Sequence, residues 1–145
     1  MMFPKTRLDR LVQLRERSED RALSNLAKAR EVLGRAQQVL SRAAAAAQAD
    51  HRGKGHAAQW DVEEAAHVRA LQSLRHARGE VSQAAAGEAM ARQGYVEAHT
   101  QAESTRRVAE RKRAEIVRER AKADTRRLDE IGTVAFNRDR KTSGA

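Results

Sequence analysis

Cysteine is absent from this 145-residue chain. That excludes disulfides, thiol catalysis and Cys-ligated zinc, and it fits a reducing compartment. Proline occurs once, and two Phe, one Tyr and one Trp are all the aromatics. Bulky material for a layered core is lacking, and β-branched residues are too sparse for a sheet. The longest apolar stretch, Ala43 to Ala47, is far below the ~20 residues needed to span a bilayer. The opening Met1-Met2-Phe3-Pro4-Lys5-Thr6-Arg7 has no hydrophobic run behind its positive charge, so no secretory signal is expected. No Gly-rich phosphate loop and no G-x-S-x-G occurs. The five histidines (His51, His56, His67, His76 and His99) show no i, i+3 or i, i+4 pair with a carboxylate that would aim two imidazoles at one ion. The expectation is a cytoplasmic, non-enzymatic protein with no cofactor, no metal site and no small-molecule ligand.

Alanine is what fills the chain instead, with 29 copies, alongside 34% charged residues and a formal charge of +9. Abundant Ala, Glu, Arg and Lys with apolar periodicity marks long helices or coiled coil. The positive balance suits an anionic partner: nucleic acid, a membrane surface or an acidic protein pore. Helix breakers are confined. Pro4 sits where a first turn tolerates it, and Thr6 can cap the helix after it. The segment Asp50-His51-Arg52-Gly53-Lys54-Gly55-His56 is the one convincing turn. The reading is a single domain over residues 1–145: a helix over about 5–50, a turn over about 51–58, a second helix over about 59–131, and a polar tail over 132–145.

Heptads organise both helices. On the first, Val12, Leu26, Leu33 and Leu40 take position a, and Leu8, Ala22, Ala29, Ala36 and Ala43 take d. On the second, Trp60, His67, Leu74, Val81, Glu88, Tyr95, Ala102, Ala109, Ile116 and Ala123 fall at a, while Ala70, Ala77, Ala84, Ala91 and Ala98 fall at d. Such a repeat specifies a left-handed supercoil. Because a is large and d is alanine, an antiparallel pair puts one large and one small side chain in every layer, as close packing demands. The fold class is therefore all-α: a long antiparallel two-helix coiled-coil hairpin with a longer C-terminal helix. A register in which paired numbers sum to 110 satisfies this rule, with Leu33 facing Ala77 and Leu26 facing Ala84. Arg15, Glu19 and Glu88 break the seam halfway, as a register-fixing polar stretch with Arg15 over Tyr95, or as a compliant joint.

In that register the first helix is used up at Ala102, and the second continues alone from about Glu103 to Ile131, about 40 Å of helix. This overhang keeps Val108, Ile116, Val117, Leu128 and Ile131, and from Ser104 to Arg127 ten basic residues stand against four acids. An isolated helix has nothing of its own to bury such residues against. Arg111, Arg113, Ile116, Arg118, Leu128 and Ile131 are the candidate contact residues. At the hairpin end Trp60, with Leu40, is a second candidate, Trp60 serving either as a cap or as an exposed anchor. Absence of aromatics near the basic cluster argues against base stacking, leaving only nonspecific phosphate contact for nucleic acid. A nucleic-acid or ribosome-binding arm, or a scaffold hairpin that dimerises into a four-helix bundle, are the alternative readings.

The opening Phe3…Leu8-Asp9-Arg10-Leu11…Leu14-Arg15-Glu16…Glu19…Ala22…Leu26-Ala27…Ala29…Leu33 resembles the start of the FliJ family of flagellar export stalk proteins, whose injectisome relative is YscO. Lys112-Arg113-Ala114-Glu115, followed by Arg127-Leu128-Asp129-Glu130-Ile131…Arg138, is similar to that family's C-terminal end. The resemblance implies a coiled-coil shaft whose paired termini enter the hexameric ring of the export ATPase. Its hairpin end would face the export gate, a membrane protein. It also implies handling of export chaperones and a place in the cytoplasm, peripherally associated with the inner-membrane export apparatus.

Overall fold

The structure, a computed structural model, describes residues 5–49 and 56–142. Helix α1 runs Leu8–Gln48 (41 residues) and α2 runs Ala57–Thr142 (86 residues). No strand occurs among the described residues. The glycine-bearing turn expected at Asp50 to Gly55 lies outside them.

The start of α1 is fixed by a reciprocal cap. The Thr6 amide donates to Asp9 Oδ2 and the Thr6 hydroxyl to Asp9 Oδ1, both at 2.9 Å, while the Asp9 amide donates back to the Thr6 carbonyl at 3.1 Å. This is one half of a capping box, the N3 carboxylate reaching back to the N-cap amide with aspartate in the Glu/Gln position, while the Thr6 hydroxyl bonds that carboxylate and not the Asp9 amide. At the far end, α2 passes Gly132 and continues to Thr142, where a polar tail was expected from residue 132. One helical glycine costs about 1 kcal/mol relative to alanine and is no stop. Arg140 and Lys141 in the last turn face the negative end of the helix dipole, which favours them there.

The chain divides into two units, each made of both helices: residues 17–99, and residues 1–16 with 100–145. In the first unit Leu26 and Ala77 are buried, and Leu33, Ala36, Leu40, Ala70, Leu74, Val81 and Ala84 are half-buried, as is Ala29. In the second, Ala102 and Ala109 are buried at 0% and 1% exposure, with Leu8 and Val12 half-buried.

The register differs from the expected one. In the second unit Asp9 pairs with Arg113 at 2.6 Å and Glu16 with Arg106 at 3.1 Å, and Arg15 donates to Gln101. In the first, Glu19 meets His99 at 2.7 Å and Arg30 meets Glu88 at 3.4 Å. Asp9, Glu16, Arg106 and Arg113 are all e positions, and their pairing sets the seam sum at 117, one heptad beyond 110. Leu33 then lies opposite Ala84, Leu26 opposite Ala91, Leu40 opposite Ala77 and Leu8 opposite Ala109. Burial of Ala109 requires this, since in the expected register it lies past the start of α1. Every layer still holds at most one large residue, whereas the expected register would set Arg15 and Tyr95 together in one layer; through the leucine layers the two registers alternate alike.

The ions act in the same direction. In the expected register Asp9 would face Arg106 and Glu16 would face His99, but Arg30 would meet Ala85 and Arg113 would lie clear of α1. In the observed one Arg30 meets Glu88 and Arg113 meets Asp9, while Glu16 keeps a basic partner in Arg106. Individual exposed pairs contribute little, so these two gains add to the packing difference and do not replace it.

A candidate partner-binding surface on the second helix

Among the described residues pairing with α1 reaches Arg113, so the part of α2 that they leave unaccompanied begins near Ala114 and not at Glu103. Residues 117–141 are exposed throughout. They carry Val117 (52% exposed), Leu128 (68%), Ile131 (65%), Val134 (66%) and Phe136 (67%). A monomeric helix has no reason to keep that many large apolar groups in water.

The six candidate contact residues separate. Arg118, Leu128 and Ile131 lie on the exposed segment. Arg113 does not: it is spent on Asp9, where it clamps the start of α1. Ile116 is half-buried at a seam position, and Arg111 is exposed within the paired stretch. At the other end Trp60 is 62% exposed, and Leu40 is half-buried in the seam. Arg15 bonds Gln101 and does not lie over Tyr95, whose ring stacks on His99 at 5.8 Å. Tyr95 follows Ala22 into the shifted register, which moves Arg15 opposite Ala102.

Charge on the exposed segment is of two kinds. Lys112 holds Glu115 at 2.8 Å and Lys122 holds Glu119 at 3.1 Å, both one turn apart. The Lys112 ammonium keeps the Glu115 carboxyl below its ordinary range, and Glu115 raises Lys112 in return. Among the described residues Arg118, Arg120, Arg126 and Arg127 make no hydrogen bond or ion pair. The lysines are neutralised within the helix, and the arginines present open guanidinium groups. Those planar forks suit carboxylates or phosphates.

Asp9 and Glu88, the second of them a break in the seam by sequence, both bond arginines of the facing helix. The Thr6 amide and then Arg113 hold the Asp9 carboxyl below its ordinary 3.8. The hydrogen bond from Arg92 at 2.8 Å, against the cost of burial and with help from Arg30, holds Glu88 below its ordinary 4.5. Both acids are more acidic folded than unfolded, so their stabilisation is complete above those ordinary values and is lost as pH falls through the lowered ones. Thermal melts are expected to be flat from pH 7 to pH 5 and to fall steeply below about pH 4. Glu88→Gln should melt lower than the parent at pH 7 and converge on it at pH 2.5. Parallel curves at both pH values would show that Glu88 does not contribute.

No group of three or more His, Cys, Asp or Glu among the described residues is placed to hold a metal ion, and no described helix is long and apolar enough to cross a membrane. What the segment offers is a helix that α1 does not accompany among the described residues, exposed apolar groups and open arginines. No curated protein and no solved structure matches the chain. A family model described as "Flagellar FliJ protein" matches residues 4–141. With nearly every residue inside that match, the chain belongs to the flagellar FliJ protein family.

Proposed function

We propose that this protein is a stalk of the flagellar, type III protein export apparatus. The unaccompanied end of α2, with the start of α1 clamped beside its root, enters the hexameric ring of the export ATPase. The opposite end, marked by exposed Trp60, faces the export gate, and export chaperones dock along the hairpin. The protein works at the cytoplasmic face, peripheral to the inner membrane, and performs no chemistry of its own. The family match supports a role in flagellar export. The observation that carries the finer reading is the segment beyond Ala114, where open arginines and exposed Leu128 and Ile131 share one helix.

The test is capture of the purified cognate export ATPase by the full chain and by a chain ending at Arg113. Charge governs mainly the association rate and buried apolar contact the dissociation rate. The full chain is expected to bind, to promote ring assembly and to associate more slowly as salt rises. The truncated chain is expected to melt like the parent and to bind neither the ring nor its subunits. Equal binding by both chains, or tight RNA binding without ATPase binding, would overturn the reading.

A further inference from the structure

The apolar residues beyond Ala114 do not continue the hairpin seam. Extending positions a and d gives Ile116, Glu119, Ala123, Arg126, Glu130 and Thr133, a row with three charges. The exposed apolar residues instead follow Val117, Ala121, Asp124, Leu128, Ile131 and Ala135, all of them exposed. At 100° per residue this second row lies about 150° around the helix from the first. Its spacing is four, three, four, three, four, which is itself a heptad seam. An in-register extension of α1 would meet the charged row, so α1 is not what covers the second one.

Charge identifies what does. Flanking the second row are Arg118, Thr125 and Gly132 on one side and Arg120, Arg127 and Val134 on the other. Arg118, Arg120 and Arg127 are among the guanidinium groups that make no hydrogen bond or ion pair among the described residues. A second copy would leave these arginines unmatched: a parallel one sets Arg120 and Arg127 against Thr125 and Gly132, and an antiparallel one sets Arg120 against Arg127. A helix with acidic flanks would pair each of them, and a seven-residue apolar repeat is filled by another helix.

We infer that the back of the free segment, along Val117, Ala121, Leu128, Ile131 and Ala135, is a coiled-coil seam for an acidic-flanked amphipathic helix of another chain. The inference rests on the reading of this segment as the partner-binding end, and it adds the face, the mode and the chemistry of the contact. Asp124 is the one polar residue in the row. A single polar seam residue fixes register, so the partner carries a basic or amide group opposite it.

The experiment uses the full chain and three probes. One is the cognate export ATPase; one is a designed helix with Leu at a and d and Glu at e and g; the last is its twin with Lys at e and g. The double variant Leu128→Gln with Ile131→Gln alters the proposed seam, and Ala123→Gln with Thr133→Gln alters the opposite face. The Glu helix should bind, more weakly as salt rises, and the Lys twin should not. The seam variant should weaken both the Glu helix and the ATPase, on the order of tenfold, while the opposite-face variant matches the parent. Both variants should keep the parent's melting curve, which separates loss of contact from loss of folding. Failure of the Glu helix to bind, equal binding by the Lys twin, or equal loss from the two faces would each overturn the inference. ATPase binding untouched by the seam variant would overturn it and leave the stalk reading standing. Seam-dependent capture of the Glu helix without ATPase binding would do the reverse.

Discussion

Leucine at Ala77 is expected to destabilise the hairpin by about 1–3 kcal/mol, the usual range for an overpacked core. The same substitution at Ala102 is expected to cost well under 1 kcal/mol. By exposure alone the two alanines are alike, at 1% and 0%. Their opposite numbers differ. In the observed register Ala77 faces Leu40, and a second large side chain in that layer must push the helix axes apart. Ala102 faces Arg15, a flexible chain held by a single bond to Gln101. A new leucine can displace its stem and use the apolar contact, as a long side chain swings to solvent with little strain. Urea melts of the two variants check this. Equal losses at both sites would mean that the seam is uniform and that Arg15 is packed as tightly as a leucine.

Composition and periodicity were sufficient for the architecture, because 29 alanines and an a/d pattern interrupted only by a short polar stretch leave a long helical hairpin as the arrangement that buries the stripe evenly. The register was not legible from the same pattern. Moving the pairing by one heptad exchanges Ala77 for Ala84 opposite Leu33 and leaves the alternation of the leucine layers intact. The two registers differ in size only near the polar stretch, where Arg15 meets Tyr95 in one and Ala102 in the other. Charge adds to this along position e, where Asp9 and Glu16 on α1 meet Arg113 and Arg106 on α2. Isolated surface pairs are ordinarily worth little, so that order gains meaning only once the helices are placed. The register also sets where the paired stretch ends: in the shorter pairing Arg113 lies clear of α1, and in the observed one it meets Asp9. The end of α2 was cut short at Gly132 for a different reason, a glycine taken as a terminator inside a helix that tolerates it.

The charge order along position e can be turned against the observed register with two substitutions. In the parent, a cysteine pair at Leu33 and Ala84 should form a disulfide rapidly on mild oxidation, and a pair at Leu33 and Ala77 should not. The two alanines stand about 10 Å apart along α2, beyond the reach of one disulfide geometry. The chain has no native cysteine, so each pair reports without background. Arg113→Glu sets a like charge against Asp9, and Glu88→Leu removes the acid that Arg30 meets and fills its layer with an apolar side chain. In the slipped register residue 113 lies clear of α1, Asp9 faces Arg106 and Glu16 faces His99. The slip therefore relieves the repulsion, and its packing cost is the one layer that sets Arg15 against Tyr95. The expected result is a shift of cross-linking from Leu33 with Ala84 toward Leu33 with Ala77, with helix content by circular dichroism unchanged. Either substitution alone should leave the parental pattern in place, since one weak pair does not outweigh the other contacts. Persistence of the Leu33–Ala84 cross-link alone in the double variant would show that the register is held by something other than the e-position charges, the Arg15 layer first among them.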